Sequence, residues 1–374
     1  MIIMAKIVVS KPYLDNKERK AVMNVLKSGM LAQGPKVAEL EKRFAEKVGT
    51  KYCVALNSGT AAIHAGLYGL GIEQDDEVIT TPFTFVASAN PSIMLGAKPI
   101  FVDVDEKTFN IDPTKIEEKI TPKTKAILPV HLYGRCSDMD SINEIAKKHN
   151  LVVLEDACQS HNAKYKGKFA GNLADAGAFS LYATKNMMSG EGGLLTTNSE
   201  EVCERAKRFR QHGMRQSGDY AYLDLGYNYR LTDVLASIAL VQLNRLDKFT
   251  KKRQKNAKYL LKNLKGIKGL ILPVIDKDYE PCWHQFTIRI TSEFPITREE
   301  FIAKLKEQDI FCGVYYPKPL HLHPQFQKFG YKEGDFPVAE KLAKEVVSLP
   351  VHPLLKKEDL DRIVSVIKLI SEGK

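Results

Sequence analysis

Apolar residues recur at helical spacing near the start of the chain. Ala21, Val22, Val25 and Leu26 share one face of a helix predicted from Asn16 to Gly29. Val37, Leu40, Phe44 and Val48 mark a second, from Lys36 to Val48, with Pro35 suited to its first turn. The period then shortens. Apolar runs at Cys53–Leu56, Glu77–Thr80, Pro99–Val102, Ala126–Val130, Val152–Leu154 and Ala178–Leu181 read as strands, with helices predicted at Thr60–Leu70 and Phe85–Leu95. Such alternation predicts an α/β architecture with a largely parallel sheet.

Leu231–Gly266 is helix-rich, and beyond about residue 250 the pattern changes. Strand-like Phe286–Ile290 and Phe311–Tyr315 alternate with helices Arg298–Gln308 and Lys357–Ser371. The expected organisation is a large α/β domain over 1–250 and a small α+β domain over 251–374.

At 44% apolar residues the chain can bury a sizeable core, and no apolar run approaches the roughly 20 residues of a membrane helix. With no signal-peptide pattern at the start, the cytoplasm is the expected location. The net charge of +10 comes from scattered lysines, without zinc-finger spacing or a basic–aromatic strand, so no nucleic-acid partner is expected. The six cysteines form no CxxC pair, which argues against a zinc site or a disulfide framework. Cys158 reads as a small residue near a ligand rather than as a nucleophile.

Chemistry concentrates where predicted strands end, the place at which open α/β sheets bind ligands. Lys185 follows the run Ala178–Tyr182 and precedes Gly190, Gly192 and Gly193, which suits a close-approach loop. Asp156, 29 positions upstream, follows the run Leu151–Leu154. A charged group there needs a partner or serves as a helix cap. A lysine to form a Schiff base and an aspartate to hold a pyridine nitrogen protonated are the pair that pyridoxal phosphate requires. Asn57, Ser58, Gly59 and Thr60 open a helix after a strand, either as a phosphate site or as an ordinary cap. Phe85 offers a ring to stack on a heterocycle or a core contact. Gln159 is placed to bond a ring oxygen or substrate, and Ser180 to donate to the phosphate.

The stretches LNSGTAAIHAGL, TTPFTFVASANPSI, LEDACQSHNAKYKGK, FSLYATKNMMSGEGG and LGYNYRLTDVLASIALVQL, in this order, resemble the sugar aminotransferases of the DegT/DnrJ/EryC1/StrS family over nearly the whole chain. The resemblance implies the fold-type I, aspartate aminotransferase-like architecture and a homodimer with shared active sites. It implies pyridoxal 5′-phosphate bound to Lys185, Asp156 on the ring nitrogen, Gln159 near the ring oxygen, Phe85 on the ring, and Gly59, Thr60 and Ser180 on the phosphate. Asn228 is similar to the residue that reaches the neighbouring subunit's phosphate, with Arg230 close by. Arg215, Tyr316 and His321 are candidates for substrate contact, and no metal is expected. The implied reaction moves an amino group from an amino acid, expected to be L-glutamate, to a ketone of a nucleotide-linked sugar, expected to be a 4-keto-6-deoxyhexose, by a ping-pong mechanism. The alternatives are a sugar dehydratase of the same family, whose members carry histidine in place of the lysine, and a non-catalytic regulator on the same fold.

Overall fold

The computed structural model describes residues 6–215, 218 and 220–373. Helix α1 (Asn16–Ser28) starts at a capping box formed by Asp15 and Glu18. Helix α2 (Pro35–Val48) buries Val37, Leu40, Phe44 and Val48, the predicted stripe. Its first turn has no local cap. Buried Asp233, from a segment distant in sequence, accepts the N–H groups of Gly34, Lys36 and Val37 at 2.9, 3.0 and 2.9 Å.

Seven strands form the main sheet: β1 (Tyr52–Leu56), β2 (Glu77–Thr80), β3 (Lys98–Phe101), β4 (Thr124–Ile127), β5 (Val152–Asp156), β6 (Ala176–Ser180) and β7 (Gly193–Thr197). They lie in the order β1-β7-β6-β5-β4-β2-β3. Pairing is parallel from β3 through β6, while β7 runs antiparallel to both β1 and β6. The mainly parallel α/β sheet is as expected, and β7 was not foreseen. Helix α3 (Gly59–Gly69) is buried over most of its length against this sheet. Gly66 permits the close approach, since a β-carbon there would lie 2.9 Å from Leu195 and 3.0 Å from Leu154.

Two local expectations fail. Phe85–Leu95 is not one helix but a 3-10 turn, Val86–Ser88, followed by a short α-helix, Asn90–Met94, whose first turn takes Pro91. Pro91 has no N–H to continue a helix from the residues before it. Phe311–Tyr315 forms only a single bridge, Gly313 to Ser348. The third strand of the small sheet is instead Val346–Leu349, beside Phe286–Ile290, which in turn pairs Leu270–Ile271.

Near position 250 the 19-residue helix Leu246–Leu264 runs through without a break. A separate core gathers Leu260, Phe286, Ile288, Phe301, Val347, Ile363 and Ile367, and it recruits Ile7 from the start of the chain. Residues 320–346 return to the main core through Leu320, Phe326, Phe336 and Leu342. Among the described residues, no helix is long and apolar enough to cross a membrane, and no cluster of His, Cys, Asp or Glu is arranged to hold a metal.

Candidate active site

The carboxyl ends of β1, β2, β5 and β6 open on one cavity of about 560 Å³. Gly59, Thr60, Phe85, Asp156, Gln159, Ser180, Lys185 and Tyr316 all line it. Eight predicted site residues scattered over 258 positions, from 59 to 316, are thus brought together. Lys185 and Asp156 face the same space, and the carboxylate acts electrostatically on the amine.

Each side chain is placed by its element. Asp156 is the last residue of β5 and is buried. Its Oδ2 accepts the Ser88 hydroxyl at 2.6 Å, and its Oδ1 accepts the Cys158 N–H at 3.1 Å. Lys185 sits in the β6–β7 loop, where its N–H donates to Tyr182 O at 2.9 Å and Ser189 N–H donates to Leu181 O at 2.8 Å. Desolvation draws the Lys185 amine below the ordinary lysine range, and the Cys158 sulfur and the Asp156 carboxylate pull the other way. Burial raises the Cys158 thiol well above its usual value, which makes it a poor nucleophile.

The corner of the cavity at the start of α3 is built from backbone. Ser58 caps α3 by accepting the Ala61 N–H at 3.1 Å, and Gly59 and Thr60 form the first turn. Ser180, at the end of β6, stands beside that turn, so a helix N-terminus and a hydroxyl share one corner of the cavity. Phe85 is 54% exposed, with its ring toward open space 6.0 Å from the Tyr316 ring. Gln159 is fixed twice: its Oε1 accepts the Tyr133 N–H at 3.0 Å and its Nε2 donates to the Tyr316 hydroxyl at 3.2 Å.

Four expected residues are not among those lining this cavity. Asn228 lies on the segment that follows β1 backwards, its carbonyl accepting Asn57 Nδ2 at 3.4 Å. Arg230 donates to Gln211 at 3.2 Å. Arg215 is exposed, and its N–H donates to Ala221 O at 2.8 Å. His321 is fully buried with its Nε2 2.9 Å from Glu340 and its ring edge-on to Phe336, so it does not reach a substrate in this cavity. Conversely, Thr84, Ser88, Glu191, His284 and Tyr315 line the cavity without having been foreseen. Burial and the Lys185 charge hold His284 well below the histidine range, so it is neutral.

These residues fit pyridoxal phosphate. A carboxylate, a desolvated amine and an anion corner surround a space of suitable size, and the cradle at Gly59 is one that a β-carbon would fill.

Comparison with known proteins agrees. The spore coat polysaccharide biosynthesis protein SpsC of Bacillus subtilis is 41% identical over 377 residues, with 97% of each chain covered. GDP-perosamine synthase of Caulobacter vibrioides is 35% identical over 364 residues, again with 97% of each covered. The solved structure of Spr1654 from Streptococcus pneumoniae in its PLP form matches with a TM-score of 0.93 at 29% identity, over 99% of both chains. The profile of the DegT/DnrJ/EryC1/StrS aminotransferase family matches residues 12–368, and the chain therefore belongs to that family of pyridoxal phosphate-dependent aminotransferases.

Proposed function

We propose that this chain transfers an amino group from L-glutamate to the ketone of a nucleotide-linked sugar, a 4-keto-6-deoxyhexose, in two half-reactions. One observation carries the transfer chemistry: the Lys185 amine and the Asp156 carboxylate line a single cavity whose far corner is a helix N-terminus. What supports the sugar acceptor is kinship, since a relative of 35% identity along its whole length is a GDP-perosamine synthase.

When bound, pyridoxal phosphate supplies the electron sink that makes the donor's α-hydrogen acidic. The protein does the rest. Gly59, Thr60 and Ser180 hold the phosphate, and Phe85 covers one face of the ring. Asp156 accepts the ring N–H and keeps that nitrogen cationic. Gln159, held by Tyr133 and Tyr316, meets the ring oxygen. Lys185 is the residue whose amine would hold the cofactor's carbonyl carbon. When free, its Nζ would be the base that takes up the donor's α-proton and the acid that gives it back. A desolvated, lowered amine suits that role because it is more readily neutral near pH 7.

Asn228 and Arg230 lie off their own cavity, which is what a role in the neighbouring subunit of a homodimer requires. On this reading Asn228 completes the neighbour's phosphate site. Tyr316 borders the substrate space in its own chain.

The test separates the halves. Incubated with glutamate alone, the enzyme should release 2-oxoglutarate in an amount equal to its active sites. Adding a 4-keto-6-deoxyhexose nucleotide should then yield the amino sugar. Loss of a sugar hydroxyl without gain of an amine would replace this reading by the dehydratase.

A further inference from the structure

Asp156 is not held by the strand alone. Ser88 donates its hydroxyl to Asp156 Oδ2 at 2.6 Å, and the Ser88 oxygen lies 2.9 Å from Thr84 Oγ1. Since Ser88 spends its hydrogen on the carboxylate, its oxygen accepts from Thr84, and the chain has one direction, Thr84 to Ser88 to Asp156. All three residues line the cavity, and all are at least 95% buried. The other oxygen, Oδ1, accepts the Cys158 N–H at 3.1 Å. One donor on each oxygen fixes the carboxylate against rotation and leaves lone pairs free toward the cavity.

Ser88 also belongs to the 3-10 turn Val86–Ser88, for which Phe85 is the capping residue. A single turn therefore carries both the aromatic face and the hydroxyl that aims the carboxylate. A displacement of that turn would move both together.

We propose that Ser88, backed by Thr84, is a positioning residue that aims the Asp156 carboxylate at the cofactor's ring nitrogen and couples that aim to the placement of Phe85. This rests on the reading that Asp156 meets that nitrogen.

The experiment uses the full-length protein reconstituted with pyridoxal phosphate labelled with ¹⁵N in the ring. Two quantities are read: the ¹⁵N signal, which distinguishes a protonated from an unprotonated ring, and the dissociation constant of the cofactor from apoprotein. Ser88→Ala should raise the dissociation constant about ten-fold, as for loss of a hydrogen bond to a charged group. It should also move the ¹⁵N signal toward the unprotonated ring. Ser88→Thr, which keeps the hydroxyl, should restore both, and Thr84→Val should give a smaller change in the same direction. If Ser88→Ala lowers only the melting temperature and leaves both readings at parental values, Ser88 is structural and the proposal is overturned. Asp156→Asn separates the underlying reading: if that substitution also leaves the ¹⁵N signal unchanged, Asp156 does not meet the ring, and both fall.

Discussion

Gly59 rests so closely on Ser180 that a β-carbon on the glycine would lie 2.7 Å from the serine's own and 3.2 Å from its Cα. The first turn of α3 and the end of β6 are thus in contact through a missing side chain. Gly59→Ala must push them apart. The expected cost is about 1–3 kcal/mol of stability, typical of an overpacked site. Affinity for pyridoxal phosphate should fall at least about ten-fold, because amides and hydroxyl no longer converge. Titration of apoprotein with the cofactor measures this, and parental affinity would remove the phosphate from this corner.

Lys185 gives a prediction of opposite sign for stability and activity. Its amine is lowered by burial, so the unfolded chain binds its proton more tightly than the folded one. The folded apoprotein is therefore penalised at neutral pH, and the penalty disappears only as pH rises through the ordinary lysine value of 10.5. Lys185→Met should abolish amino transfer and borohydride fixation of the cofactor at this position. It should nevertheless raise the apoprotein's melting temperature at pH 7 by about 2 °C. A melting temperature that falls instead would mean that the amine is stabilised where it sits.

Burial drives His161 down to about 3, and neither of its ring nitrogens has a hydrogen-bond partner. It packs 5.1 Å from Phe179 and 6.4 Å from Phe44, in an apolar niche suited to a neutral ring. A depressed histidine favours folding above pH 6.5 and loses that advantage as pH falls toward 3. Replacing His161 by Phe should remove up to about 1.4 kcal/mol of stability change per pH unit in that window. Urea denaturation of apoprotein at pH 5 and pH 7 reads the difference, and identical slopes for variant and parent would refute it.

Asp233 satisfies three N–H groups at the start of α2 from a distant helix. Truncation leaves those three donors without this partner, the Val37 N–H in a buried place and the other two half-buried. Asp233→Ala should cost about 3 kcal/mol, and Asp233→Asn less, because its oxygen can still accept. Chemical denaturation decides between this and an exposed, replaceable cap.

What the sequence disclosed follows from what its local patterns encode. The helix over Lys357–Ser371 was legible because a long amphipathic stripe has a period of its own. β7 was hidden because GLLTT is a short, fully buried run directly after glycines, with no alternation to mark it. Val346–Leu349 follows the helix Pro337–Glu345 without an intervening turn, so nothing announces the change. In the site, Lys185, Asp156 and Ser180 stood out because polar residues end apolar runs there. His284 did not, since its place beside the cavity is set by a chain segment about 100 residues from Lys185. His321, a candidate for substrate contact by sequence, has its ring against Glu340 and Phe336, partners that no local pattern near residue 321 announces.

The position of Asn228 allows the proposed sharing of sites between two copies of the chain to be tested in solution. Its backbone pairs with Gln211 and Asn57, while its side chain is not among those lining its own cavity. If Asn228 serves the neighbouring subunit, Asn228→Ala and Lys185→Ala each damage a different half of every site. Both homodimers should then be impaired. Unfolded and refolded together in equal amounts, half of the dimers are mixed, and each mixed dimer holds one site with Lys185 from one chain and Asn228 from the other. The mixture should recover up to about a quarter of parental activity, as two-fold symmetry requires. No recovery, with mixed dimers demonstrated by mass spectrometry, would place Asn228 outside the neighbour's site and leave each cavity to be completed by its own chain.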